Sequence, residues 1–259
     1  MIIKASKICF SNPKERGFFT RCHNFFPSSH QKKLLGELLF LIQIKVSDSS
    51  NKKIMNLTEE ITEIIINGLR TNYYNPEALK NLENIEEHFE NSLQKLNRLA
   101  YQEIVGSRSF ESLIKKLDAV IGLIHEEKVY FSTVGSTQVF ILKKNKIVDL
   151  VSEESPFNSS RIFSQIISGG LEKDDSLFFA TPNFLDYFVF EKLNQIVQKN
   201  DVERATQKLK ELLENQKNKI SIGAILIKKE KGEIKELIEE EKEIPLAKSL
   251  EMETLKKIE

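Results

Sequence analysis

A chain of 259 residues that is 40% hydrophobic and carries 17 Phe can bury the core of one large domain or two small ones. Its 38 basic and 38 acidic side chains give a formal net charge of zero, so no overall field draws it onto a polyanion or an anionic membrane, and nucleic acid is not expected as its main partner. Two cysteines, Cys9 and Cys22, are too few for a disulfide framework and read as reduced thiols of a cytoplasmic protein.

The N-terminal MIIKASKICFSNPK has no uninterrupted apolar stretch ahead of a small-residue cleavage site and does not read as a secretory signal. Three β-rich segments open the chain, at residues 2–10, 18–26 and 38–46, punctuated by Asn12-Pro13 and Pro27-Ser28-Ser29. The longest apolar stretch, residues 34–46, is broken by Glu37 and Gln43 and is too short to cross a bilayer. Between residues 55 and 73 the period lengthens, with Leu57, Ile61, Ile64, Ile65 and Leu69 at helical spacing. Asn75-Pro76 suits the cap and first turn of a second, longer helix whose inner face runs from Leu79 through Phe89 and Leu96 to Ile104. His88 falls on the outer, polar face of that helix.

After Gly106 the pattern shortens, and residues 117–125, 128–134, 137–143 and 147–151 read as one antiparallel meander with tight turns at Glu126-Glu127 and Asn145. Residues 161–169 and 176–181 add two strands around a turn at Asp174-Asp175, where short carboxylates can bond their own backbone. Pro182 sits where a helix can start, Asp201 caps another, and residues 220–227 form the last strand. Two long helices between groups of antiparallel strands are what an α+β, four-layer α-β-β-α sandwich needs, two antiparallel sheets face to face and each flanked by a helix pair, although the order alone also fits other α+β folds. The domain is drawn over residues 1–228, and residues 229–259 form a charged C-terminal tail, because 17 of those 31 residues are charged. Ile234, Leu237 and Ile238 give that tail a short apolar stretch that could link or dock to a partner.

Three segments carry readable motif residues: VYFSTVGSTQVFIL at 129–142, LEKDDSLFFATPNFLDYF at 171–188 and NKISIGAILI at 218–227. In this order they resemble the C-terminal half of the metal-dependent protein phosphatases (PPM, the type 2C serine/threonine phosphatases), which carry V-G-D-S-R, G-D-x-L-L-L-x-[ST]-D-G-L and D-N-[IV]-T-x-x-x-V. The resemblance implies the same sandwich and gives Gly135, Ser136, Thr137, Asp175 and Asp186 the place of fold-motif residues. It also puts the motif aspartates on Ser136, Pro182 and Asn218. In the N-terminal half the family's V-A-D-G-x-G-G strand falls on residues 36–45, with its Asp-Gly on Ile44-Lys45, and the Gly-Gly pair is missing. The R-x-x-N-E-D element has no counterpart, since Arg21-Cys22-His23-Asn24 leads into Phe25 and Phe26.

These enzymes work through two hard divalent cations, which need anionic oxygen ligands. Gln43, Ile44, Lys45, Pro182, Asn183, Asn218 and Lys219 supply no carboxylate. The resemblance therefore implies a degenerate groove, empty and uncharged, in a catalytically inactive pseudophosphatase with no metal and no other cofactor, acting as a protein-binding or regulatory module. The alternative is a divergent manganese- or magnesium-dependent serine/threonine phosphatase that recruits Asp48, Asp118 or Asp149. Cys22, His23 and His30 do not form a zinc pattern, because adjacent Cys and His on a strand point to opposite faces and no second pair follows at zinc spacing.

Overall fold

A computed structural model describes residues 2–12, 17–76, 82, 84–144, 146–151, 158, 160–215 and 219–230. Among them, ten strands form two sheets: β1 (Ile2–Phe10), β2 (Phe18–Phe25), β3 (Glu37–Lys45), β4 (Leu117–His125), β5 (Lys128–Val134), β6 (Gln138–Lys143), β7 (Lys146–Asp149), β8 (Ile167–Gly170), β9 (Ser176–Ala180) and β10 (Ile222–Glu230). The helices are α1 (Ser29–Leu35), α2 (Lys52–Tyr73), α3 (Ile85–Gly106), α4 (Arg108–Ile114), α5 (Phe190–Lys199) and α6 (Val202–Glu214). The first sheet runs β2-β3-β4-β5-β8 and the second β1-β10-β9-β6-β7, and every pairing is antiparallel.

Side-chain alternation along the strands builds the layers. In β3, Leu38, Phe40, Ile42 and Ile44 pack against α2 and α3 residues such as Ile61, Ile65, Phe89 and Leu96. Leu39 and Leu41 point the other way and meet Phe179, Ile225 and Ile227 of the second sheet. On that sheet's outer face, Ile8, Phe140, Phe178 and Leu226 pack on Leu193, Val197, Ala205 and Leu209 of α5 and α6. The result is the expected α-β-β-α sandwich.

Several local expectations are corrected. The stretch from residue 117 to 149 is not one meander: β4 and β5 belong to the first sheet, β6 and β7 to the second. The chain changes sheets at Gly135-Ser136-Thr137. Gly135 has φ 74, and a Cβ there would lie 2.2 Å from Asp118 Oδ1. That same oxygen accepts the Ser136 N–H at 2.7 Å, and Thr137 Oγ1 donates to the Ala119 carbonyl at 3.5 Å. Small residues are required because the crossover presses against β4.

Helix α3 begins at Ile85, where Asn84 Oδ1 accepts the Glu86 N–H, so Asn75 is not its cap. His88 is half-buried, its Nε2–H donating to the Tyr73 carbonyl at 2.8 Å. Helices α1 and α4 were not foreseen; each is a seven-residue helix with a serine cap, Ser28 and Ser107, too short to show a period. The strand expected over 161–169 is confined to Ile167–Gly170, and β10 continues to Glu230, two residues past the expected domain boundary. Pro182 opens a turn and a 3-10 turn at Leu185–Tyr187, and the helix proper starts at Phe190. The turn at Asn145 and the tail from residue 231 lie outside the described residues. No helix among the described residues is long and apolar enough to cross a membrane.

Gly36 joins α1 to β3. Its φ is 77, and a Cβ there would sit 1.9 Å from the Ile124 carbonyl oxygen. Tyr73 and Tyr74 close the same corner by donating to the Leu35 and Gly36 carbonyls at 2.8 and 2.9 Å. Burial pushes both phenols well above their ordinary range. Gly36→Ala is expected to lower stability by at least about 2 kcal/mol in urea unfolding, since a strained backbone and a backbone clash add. Gly106→Ala, at a helical position with nothing within 4 Å, should leave stability unchanged or raise it by up to about 1 kcal/mol.

Candidate functional site

Alternation also decides what β3 presents at the edge of the sandwich. Ile44, the residue matched to the family aspartate, is buried on the helix side among α2 and α3 residues. Gln43, one position earlier, takes the inter-sheet face, and it is the residue that reaches the facing sheet. The two residues are one position apart and therefore take opposite faces of the strand. Lys45 is exposed at the end of β3.

Gln43 is 1% exposed, and its amide nitrogen donates to Thr20 Oγ1 at 2.9 Å and to the Ser221 carbonyl at 3.0 Å, with Asn183 Oδ1 at 3.4 Å. Asn183 donates to the same Ser221 carbonyl at 3.0 Å, and the hydroxyls of Thr20 and Ser221 lie 3.1 Å apart. Ser221 Oγ in turn donates to the Phe18 carbonyl. Beside this group, Thr181 Oγ1 accepts the Gly223 N–H at 3.1 Å, tying the end of β9 to β10. Because the Ser221 carbonyl can only accept, the Gln43 amide nitrogen must face it, which leaves Gln43 Oε1 buried and without a partner among the described residues. Uncharged amides and hydroxyls from β2, β3, the β9–α5 turn and the start of β10 close this edge.

Pro182 is half-buried and starts the turn that carries Asn183. Lys219 is exposed, and Asn218 lies outside the described residues. Asp175 pairs with Lys143 at 3.1 Å in the turn before β9, and Asp186 is exposed in the 3-10 turn. The alternative acids do not gather. Asp48 holds Ser50 in a local turn, Asp149 accepts the Val151 N–H at 2.9 Å, and Asp118 anchors the crossover. Among the described residues, no three His, Cys, Asp or Glu side chains come together in a group that could hold a metal ion. Cys22 faces the inter-sheet core, His23 lies beside Phe40 on the other face with the two rings tilted at 45°, and His30 is exposed on α1.

Thr20, Thr181 and Ser221 were missed by the sequence reading. Their signal was weak: each is a small hydroxyl residue at or near a strand end, where such residues are ordinary.

No protein-family sequence model matches the chain, and no curated protein sequence matches it. Solved structures do. The serine/threonine phosphatase Stp1 of Staphylococcus aureus superposes with a TM-score of 0.60 at 13% identity, over 89% of this chain and 96% of its own. The serine/threonine phosphatase PstP/Ppp of Mycobacterium tuberculosis gives 0.59 at 8% identity, over 89% and 100%; the PstP catalytic domain is also known in complex with two manganese ions. PppA, a key regulatory component of the T6SS in Pseudomonas aeruginosa, gives 0.56 at 11% identity, over 88% and 98%. The chain has the fold of the PPM-type serine/threonine phosphatases.

Gln43→Glu tests how tightly this edge is specified. The substitution keeps the side chain's shape but turns a donor into an acceptor facing the Ser221 carbonyl. Burial raises such a carboxyl above its unfolded value near pH 4.3, so the penalty is absent when both states are protonated and grows as pH rises through that value. The variant should match the parent below about pH 4 and be about 2–4 kcal/mol less stable at pH 7, by paired urea titrations. An equal loss at both pH values would point to a steric cause.

Proposed function

We propose that this chain is a catalytically inactive PPM-fold pseudophosphatase that serves as a protein-binding or regulatory module. The observation carrying the reading is the Gln43 network. A pair of divalent cations, as in the PstP domain, needs several anionic oxygens at one edge, whereas Gln43, Thr20, Asn183 and Ser221 are neutral and bonded mainly to one another. This donor set does not fit the metals.

A regulatory role for the fold has a parallel in PppA, a key regulatory component of the T6SS. A partner surface is offered by the groove of about 860 Å³ between β7 and α5, lined by Ile147, Asp149, Phe190 and Asn194 among others. Val189 and Phe190, 69% and 41% exposed, stand at the start of α5, and β7 pairs with β6 alone among the described residues. Edge strands and exposed aromatics are features that protein partners use.

Calorimetric titration of the full chain with manganese or magnesium should reveal no site tighter than about millimolar, and phosphopeptide hydrolysis should not exceed that of a Gln43→Leu variant. Micromolar binding together with manganese-dependent turnover would overturn the proposal.

A further inference from the structure

The two cysteines lie together, although they stand on different sheets. β1 is the edge strand of the second sheet and β2 that of the first, and the two edges meet at this corner. Cys22 Sγ lies 3.2 Å from the carbonyl of Ile8, the chain neighbour of Cys9, and Cys9 Sγ lies 3.8 Å from the Thr20 carbonyl. Gly223 is the cross-strand partner of Cys9. A Cβ at Gly223 would fall 2.7 Å from Cys22 Sγ, so the missing side chain is what admits the second sulfur beside the first.

Their environments differ in the way a two-thiol redox site requires. Cys22 is 7% exposed, and burial pushes its thiol well above the ordinary value. Cys9 is on an exposed residue, and a side-chain hydrogen bond with Cys22 holds its thiol below the ordinary value, with Lys7 and Arg21 adding positive charge. Lys7 is fixed there by its ammonium, which donates to the Cys22 carbonyl at 3.2 Å. Cys9 thus stands on the more exposed strand edge with its thiol shifted toward the thiolate, and Cys22 is the more sheltered of the two, its thiol shifted the other way.

We infer that Cys9 and Cys22 form a peroxide-oxidisable dithiol, with Cys9 the attacking sulfur and Cys22 the resolving one. The Cys9 thiolate attacks one oxygen of hydrogen peroxide, the O–O bond breaks, and the departing hydroxide takes a proton to leave as water. Cys9 is then a sulfenic acid. The Cys22 sulfur attacks the Cys9 sulfur, the S–O bond breaks, and hydroxide leaves with the Cys22 proton as a second water. Two thiols lose two electrons to the peroxide, and the disulfide joins the two sheets at the corner where Thr20 enters the Gln43 network.

The test uses the reduced full chain, exposed to hydrogen peroxide, alkylated and weighed intact. The expected product has lost about 2 Da, takes up no alkylating agent, yields one cross-linked peptide pair containing Cys9 and Cys22, and returns to two free thiols with dithiothreitol. It should also melt at a higher temperature than the reduced protein, because the cross-link restricts the unfolded chain. Cys22→Ser should accumulate a Cys9 sulfenic acid that dimedone captures, whereas Cys9→Ser should leave Cys22 unoxidised. The inference is overturned by any of three results: two alkylatable thiols persisting at peroxide doses that oxidise glutathione, Cys9 advancing to sulfinic acid while Cys22 stays free, or a disulfide joining two chains.

Discussion

The strict alternation of β3 is the constraint on which the rest of this sandwich depends. Buried on both faces over almost its whole length, the strand must satisfy a helix layer with one set of residues and a facing sheet with the other. Leu38, Phe40, Ile42 and Ile44 do the first, and Leu39 and Leu41 do the second. Gln43 ends the second set, at the edge where apolar contact gives way to hydrogen bonding. Its amide bridges the first sheet to the Ser221 carbonyl at the start of β10, and Asn183 joins it from the turn after β9. A one-residue slip of the strand would put Ile44 into this polar corner and Gln43 into the helix layer, so the register is held by both sides at once.

How much of this was legible in the sequence follows from what each segment's neighbours impose. Strands β1, β4 and β5 and helix α2 announced themselves by period and turn residues. The phase of β3 did not, because a strand buried on both faces is a continuous apolar run with no visible alternation, so that Gln43 rather than Ile44 faces the second sheet could not be read from it. Hairpin spacing similarly cannot say which sheet a strand joins. Gly135 was recognised as a motif residue, but its role as a sheet-changing crossover needed Asp118, seventeen positions earlier in the chain, to be seen beneath it. The polar network was invisible for the same reason: Thr20, Gln43, Asn183 and Ser221 are scattered along the sequence and meet only through the topology.

A fold and its chemistry are separable, and under the proposed reading this edge offers one physical route to the separation. Buried carboxylates packed together repel one another unless cations hold them, so a fold that stops using its metals gains by replacing the acids. Neutral amides and hydroxyls of similar reach can satisfy each other at the same place, with one buried acceptor, Gln43 Oε1, left over. The sandwich then needs nothing bound at that edge in order to fold, and its outer surfaces are free to serve other ends. The Cys9–Cys22 corner adjoins the same network, since Cys9 Sγ lies against the Thr20 carbonyl and Thr20 bonds Gln43.

The proposed inactivity requires that side chains, not metal ions, fill this edge. Crystals grown in millimolar manganese chloride, with diffraction recorded on both sides of the manganese absorption edge, address it directly. The expected result is no anomalous peak within coordination reach of Gln43, Asn183 or Ser221, and an unbroken Gln43–Ser221 hydrogen bond. A manganese peak at that position, with the Gln43 amide turned to present its oxygen, would contradict it.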